Sequence, residues 1–267
     1  MMRIAALIWL VWPAFASADA LRMAVTTSFQ NSGLADVLLP AIKNDIGLDV
    51  QLLVVGTGQA LRLGRAGDVD AILVHSRAAE EAFVAQGHGI RRREIMYNDF
   101  VLVGPADDPA GISGASNVTR ALSGIANARA PFVSRGDDSG THRRERALWA
   151  AADLDPARDS PWYKEVGAGM GASLNTAAGL DAYILSDRAS WLNFANKAGL
   201  ALLYSGDRKL FNQYSYISVS PARHPYVDIK AATQLEEWLT SARARALIDG
   251  YEIAGQQLFV FNATDLD

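Results

Sequence analysis

Short apolar runs alternate with amphipathic segments along most of the chain, and this alternation limits the possible folds more than any other feature. Residues 21–28 (LRMAVTTS) predict a strand that ends in a hydroxyl-rich turn, and residues 32–47 predict a helix that stops at Gly47. The pattern repeats in DVQLLVVGTG, which precedes a helix from about 59 to 65, and in DVDAILV, which precedes the helical SRAAEEAFVAQG. Strands and helices at this spacing predict an α/β fold with a mostly parallel sheet.

A segment rich in Gly, Pro, Ser and Asp interrupts this pattern at residues 105–117, and the alternation then resumes. We therefore expect two lobes, each a mostly parallel sheet flanked by helices. Strands near 98–104 and 211–220 would pass between the lobes. The expected division is residues 21–103 plus 211–267 for lobe 1 and residues 104–210 for lobe 2.

The first twenty residues differ from the rest. Arg3 precedes an apolar run over residues 4–16, and Ala18-x-Ala20 has the small-x-small form of a signal-peptidase site. The apolar run is shorter than the ~20 residues that span a bilayer, which favours a signal peptide over a membrane anchor. We expect cleavage near Ala20 and a soluble protein in an extracytoplasmic compartment.

Composition and motifs argue against several classes of function. The chain lacks cysteine, which excludes thiol catalysis and zinc–thiolate sites, and its net charge of −4 disfavours nucleic-acid binding. GDDSGT at 136–141 is only a near match to a serine-protease GDSGG, and His142 follows Ser139 too closely to act as its base. Phosphate-loop, dinucleotide and H-x-x-x-H metal motifs are also missing from the sequence. A serine hydrolase is therefore the weaker alternative, and we expect no enzyme activity.

Four predicted strand-to-helix junctions combine glycine with Ser or Thr. Glycine allows close backbone approach, and a helix N-terminus offers unpaired N–H groups and partial positive charge to an anion. Ser and Thr are also ordinary helix caps, so one such junction alone would mean little. Together, on the face where ligands bind in open α/β sheets, they favour a shared oxyanion site. The junctions are TTS (26–28), GTGQ (56–59), SRGDDSGTH (134–142) and GMGAS (169–173).

Arg135 strengthens the oxyanion hypothesis. Its guanidinium stays charged and offers five fixed donors. A salt bridge with a neighbouring acid is the plainer alternative. Asp137 and Asp138 bear on which anion binds, because hydrogen phosphate carries a proton that needs an acceptor. We expect both carboxylates to serve the helix start and to point away from the ligand.

Five stretches resemble the periplasmic tungstate-binding components of ABC transporters. They are AVTTSFQNSGLADVLLPAI, VGTGQALRLGRAGDVDAILVH, YNDFVLVGPADDPAGI, PFVSRGDDSGTHRRERALW and GAGMGASLNTA. The resemblance runs from about residue 24 to 221. It implies a type II periplasmic binding protein that closes over tungstate, or molybdate, without a cofactor or metal. It further implies a cognate ABC permease as partner and a monomeric protein.

The resemblance also implies which residues bind the anion. By position they are Thr27, Ser28, Thr57, Arg135, Ser139, Thr141, Gly171 and Ser173. Two positions depart from the family pattern. Val25 stands where a third threonine is usual, and we expect it in the strand. Ser76 and Arg77 replace an acid and a proline, which leaves open whether Ser76 donates to the ligand. Phosphate or another oxyanion remains the alternative ligand.

Overall fold

The computed structural model describes residues 20–156 and 160–263, so the predicted signal peptide lies outside the described residues apart from Ala20. The first part of the chain builds β1 (Leu21–Thr26), α1 (Thr27–Asn31), α2 (Leu34–Ile46), β2 (Val50–Val55), α3 (Thr57–Ala66), β3 (Ala71–Val74), α4 (Arg77–Ala85) and β4 (Arg93–Pro105). Helix α2 ends at Gly47 as predicted, where a left-handed φ of 69° suits glycine. Helix α3 begins earlier than predicted, which places Thr57 in its first turn.

The remaining elements continue the alternation. They are α5 (Val118–Ala128), β5 (Phe132–Ser134), α6 (Gly140–Ala151), β6 (Tyr163–Glu165), α7 (Met170–Leu180), β7 (Tyr183–Asp187), α8 (Arg188–Asn193), β8 (Leu200–Tyr204), a 3-10 turn (Arg208–Leu210), β9 (Phe211–Ser218), α9 (Ile229–Leu239), α10 (Ala242–Asp249), β10 (Glu252–Ile253), β11 (Gln256–Gln257) and β12 (Val260–Phe261).

Two sheets share strand β4. In the first lobe, β1 pairs in parallel with β2 and β3, and β9 pairs antiparallel with β3 and with residues 93–99 of β4. In the second lobe, residues 100–105 of β4 pair antiparallel with β7 and β8, while β5 pairs in parallel with β6 and β7. The predicted α/β fold with parallel strands in each lobe is therefore confirmed, with antiparallel strands added where the lobes join.

Both faces of each sheet are covered, which explains the nearly continuous apolar strands. In β1, Met23 and Val25 face one core cluster while Ala24 faces another. In β4, Phe100 and Val101 likewise belong to clusters on opposite faces of the second sheet. Burial on both faces fixes the strand ends, and with them the junctions that follow. In the described part of the chain, we find no helix with the length and apolar character needed to cross a membrane.

Candidate functional site

A cavity of about 270 Å³ lies between the lobes, at the carboxyl ends of the parallel strands. Its first-lobe residues lie at the end of β1 or follow β1, β2 and β3, and its second-lobe residues follow β5. The lining comprises Thr26, Thr27, Ser28, Gly56, Thr57, Gly58, Gln59, Arg62, His75, Arg135, Asp137, Asp138, Ser139, Gly140, Thr141 and Arg143. Six of the eight predicted site residues are thus brought together: Thr27, Ser28, Thr57, Arg135, Ser139 and Thr141.

The first-lobe hydroxyls sit on two helix starts. Thr26 caps α1, because its Oγ1 accepts a hydrogen bond of 3.3 Å from the Phe29 amide. Thr27, in the first turn, is exposed. Thr57 opens α3 directly after Gly56, whose lack of a side chain leaves that helix start without a side-chain cap. These helix starts therefore present hydroxyl groups and amides to the cavity.

Ser28 belongs to a hydrogen-bonded cluster with two neighbours that sequence reasoning missed. Its Oγ lies 3.1 Å from His75 Nε2 and 2.9 Å from the Tyr214 hydroxyl, and Thr26 Oγ1 is 3.0 Å away. Burial lowers the pKa of His75 to about 4, and the charge of Arg144 acts in the same direction. His75 is therefore neutral at physiological pH and fixes Ser28 without adding charge.

Arg135 and Asp137 form the centre of the second-lobe side of the cavity. Arg135 donates to Asp137 Oδ2 at 2.5 Å, and Asp137 Oδ1 accepts from the Ser139 amide at 3.2 Å. Burial opposes ionisation of Asp137, but hydrogen bonds from Ser139 and Arg135 outweigh it and lower its pKa. The Arg135 Nε is buried and has no hydrogen-bond partner among the described residues. Arg135 thus keeps donor capacity beyond its ion pair.

Helix α6 begins at this side of the cavity. Ser139 is its cap, since Ser139 Oγ accepts from the His142 amide at 3.3 Å. The Ser139 hydroxyl keeps its own proton for donation while it accepts this bond. Gly140 and Thr141 form the first turn, and Thr141 is largely buried, with an exposed fraction of 7%. The start of α6 therefore offers amides and two hydroxyls to a ligand.

Both aspartates are among the residues that line the cavity, and each carboxylate is paired with an arginine, while their pointing away from the ligand stays a prediction. Asp137 is engaged by Arg135 and Ser139, as described. Asp138 has a left-handed φ of 56°. Arg143 donates two hydrogen bonds to its carboxylate, from Nε at 2.9 Å and from Nη2 at 2.7 Å. These bonds lower the pKa of Asp138. Each carboxylate is paired with an arginine, so neither is an isolated negative charge in the cavity.

Gly171 and Ser173 are not among the lining residues. Both lie in the first turns of α7, and the fully buried Ser173 donates its hydroxyl to the carbonyls of Ala168 and Gly169. Ser76 also stays out of the lining, and its amide donates to the Glu80 carboxylate. The structure places Val25 in β1, fully buried, as expected.

Gln59 belongs to the GTGQ junction named from the sequence, but three further lining residues went unrecognised there: Arg62, His75 and Arg143. Gln59 and Arg62 lie in the early part of α3, where Arg62 donates to Gln59 Oε1 at 3.0 Å through Nε. His75 follows β3, so the rule that ligands bind beyond parallel strand ends would have included it. Arg143 is four residues beyond Ser139 and carried no motif of its own. The missed residues add two cations and one neutral imidazole to the cavity.

The geometry also bears on nucleophilic chemistry. His142 Nδ1 accepts from the Asp138 amide at 3.1 Å, so His142 is directed away from the Ser139 hydroxyl. Ser28 and His75 do form a close Ser–His pair, but a base with a pKa of about 4 is poorly matched to proton transfer near neutral pH. Within residues 20–156 and 160–263, we find no group of three or more acidic or histidine side chains placed to hold a metal ion.

Two α/β lobes with a cavity lined by hydroxyls, helix amides and arginines between them define a solute-binding protein. Residues 13–243 match the family model of the PBP superfamily domain. The chain is 43% identical to the tungstate-binding protein TupA of Peptoclostridium acidaminophilum, covering 90% of this chain and 85% of that one. A solved tungstate-binding TupA from Desulfovibrio alaskensis superposes with a TM-score of 0.87 at 42% identity, covering 92% of this chain and all of that one. A tungstate ABC transporter structure from Geobacter sulfurreducens is 44% identical with a TM-score of 0.78, and the match covers 87% and 99% of the two chains.

The chain therefore belongs to the TupA family within the PBP superfamily. Its relatives bear the names of binding components rather than of enzymes. This agrees with the resemblance drawn from the sequence.

Proposed function

We propose that this protein binds tungstate, with molybdate as a close analogue, between its two lobes and delivers it to an ABC permease. The relatives named above as tungstate-binding support the choice of anion. Tungstate and molybdate share charge and shape, so the preference between them rests on the relatives alone. We further propose that the protein acts as a monomer without enzyme activity, in the periplasm, after a signal peptide ending near Ala20 is removed.

The pairing of the two cavity carboxylates with arginines is the observation that supports a fully deprotonated anion as the ligand. Asp137 is paired with Arg135 and the Ser139 amide, and Asp138 with Arg143. A protonated anion such as hydrogen phosphate needs an acceptor, and its proton would have to share these carboxylates with the arginines already paired with them. A fully deprotonated oxyanion only accepts hydrogen bonds. It suits a cavity of hydroxyls, helix amides and arginine, and it would satisfy the buried Nε of Arg135.

The proposed site draws donors from both lobes, and we move the expected boundary between residues 103 and 104 to Asp99 and Phe100, where β4 changes its pairing from one sheet to the other. Thr27, Ser28 and Thr57 come from the first lobe, and Arg135, Ser139 and Thr141 from the second. An anion that contacts both sets favours the arrangement in which the lobes are close, since only that arrangement makes all contacts. Gly171 and Ser173 stay predictions, since neither is among the residues that line the cavity.

Calorimetric titration with tungstate, molybdate, sulfate and phosphate tests the proposal. We expect tungstate and molybdate to bind far more tightly than phosphate. Arg135→Ala should weaken tungstate binding by more than tenfold, because the anion loses its fixed charged donor. Tightest binding to phosphate would overturn the choice of anion, and unchanged affinity in Arg135→Ala would remove Arg135 from the site. Labelling of Ser28 or Ser139 by a fluorophosphonate would instead support the hydrolase alternative.

A further inference from the structure

Gly140 is an unexpected residue for the position it holds. It is the first residue of α6, directly after the capping Ser139, a position that residues with a side chain commonly occupy. Its φ is not among the positive values of the described glycines, so the backbone conformation does not call for glycine. The reason for glycine must therefore be space.

The space beside Gly140 is filled by the imidazole of His75. A Cβ atom added at Gly140 would lie 2.8 Å from His75 Cε1 and 3.5 Å from its Nδ1. The first distance is well inside van der Waals contact. Any side chain at residue 140 would have to displace the ring or the helix.

The His75 ring is not free to move aside. Its Nε2 lies 3.1 Å from Ser28 Oγ, and its centroid is 5.0 Å from that of the Tyr214 ring. Tyr214 is itself fully buried in the first-lobe core, where its ring lies tilted against Phe29 and edge-on to Phe259. Because Ser28 and Tyr214 hold the His75 ring in place, a clash at residue 140 is relieved most easily by separation of the two lobes.

His75 and Gly140 belong to opposite lobes. His75 follows β3 of the first lobe, and Gly140 opens α6 of the second. Each also neighbours an anion donor, since His75 fixes Ser28 and Gly140 stands between Ser139 and Thr141. The distance between ring and glycine therefore sets the distance between the two donor sets.

We propose that the contact of His75 with Gly140 is the spacer that sets how closely the lobes approach, and that both are positioning residues for the bound oxyanion. This inference rests on the proposed function. A bare glycine lets the α6 amides come within reach of an anion that Ser28 also holds. A side chain at residue 140 would hold the α6 amides and hydroxyls away from that anion.

A double-mutant cycle with tungstate as the probe tests the spacer. Gly140→Ala should weaken binding at least tenfold, yet leave the Tm of the unliganded protein unchanged or higher, because alanine favours the helix and open lobes relieve the clash. Gly140→Ala combined with His75→Ala should bind more tightly than Gly140→Ala alone, because the obstructing ring is gone. His75→Ala alone should lose less affinity than Gly140→Ala. Small-angle scattering of the tungstate-loaded proteins should show Gly140→Ala larger than the wild type, and the double variant restored.

The matched control is Gly179→Ala in α7, an exposed helical glycine with nothing within 4 Å of its added Cβ. It should bind as the wild type does. Wild-type affinity in Gly140→Ala would overturn the spacer, as would a double variant that binds no better than Gly140→Ala. Failure of the wild-type protein to bind any tested oxyanion would overturn the proposed function and the spacer with it, so the two failures are distinguishable.

Discussion

Glu145 is a buried carboxyl group in the helix whose start forms one side of the anion site. Its exposed fraction is 2%, and the Tyr163 hydroxyl donates to its Oε1 at 2.6 Å. Burial raises its pKa to about 7, well above the value of an exposed glutamate, although the hydrogen bond from Tyr163 acts in the opposite direction. The folded protein therefore binds a proton here that the unfolded chain releases at lower pH.

This burial predicts a pH dependence of stability. Between pH 4.5 and about 7 the folded state holds the Glu145 proton more tightly than the unfolded state does. The free energy of unfolding should therefore fall as pH rises through this window, by at most about 3 kcal/mol from this residue. Glu145→Gln keeps the acceptor for Tyr163 but cannot ionise, so it should flatten the profile in urea titrations.

Glu237→Gln is the matched control, because Glu237 is exposed on α9. Its pH profile should follow the wild type. A Glu145→Gln profile with the wild-type slope between pH 4.5 and 7 would show that Glu145 titrates normally.

At the scale of the element, the start of α6 has two roles that substitution can separate. Ser139 caps the helix and, in the proposed site, donates to the anion. Aspartate caps as well as serine and favours the positive end of the helix, so Ser139→Asp should keep the Tm. Its negative charge would repel an oxyanion, and tungstate affinity should fall more than tenfold by calorimetry. Ser139→Ala should lose both functions, including about 1 kcal/mol of stability.

The same change at another helix start provides the control. Ser241 caps α10, with its Oγ accepting from the Ala244 amide at 3.2 Å, and it does not line the cavity. Ser241→Asp should leave tungstate affinity unchanged. Unaltered affinity in Ser139→Asp would mean that the helix start only caps.

The elements show why sequence reasoning succeeded in some places and not in others. Gly47 and Ser139 end and begin helices as predicted, because cap chemistry is local. Gathering the junctions at one cavity was also predictable, since parallel strand ends share an edge. The Ser28–His75 contact was not, because it joins residues 47 positions apart through tertiary packing. The reason for glycine at residue 140 was likewise hidden, as it depends on a ring from the other lobe.

At the scale of the whole molecule, the lobes are joined where β4 leaves one sheet and enters the other. Asp99 is the last β4 residue paired with β9, and Phe100 is the first paired with β7. At this point Arg188 of α8 donates two hydrogen bonds of 2.6 Å to the Asp99 carboxylate. Both side chains are mostly buried. The pair thus ties a second-lobe helix to the strand that connects the lobes.

Asp99→Asn should weaken the Arg188–Asp99 ion pair and show how much this pair contributes to the joint unfolding of the two lobes. Asparagine loses the charge opposite Arg188 and leaves a mostly buried guanidinium without its counterion, which should cost about 2 kcal/mol. The calorimetric unfolding transition should move to lower temperature and broaden, because two lobes that share less stabilisation no longer melt together. Glu81→Gln removes an exposed pair with Arg77 on one lobe and should shift the Tm little while leaving the width unchanged. A sharp, unshifted transition in Asp99→Asn would mean that the shared strand and core alone unite the lobes, and that this ion pair contributes little to joining them.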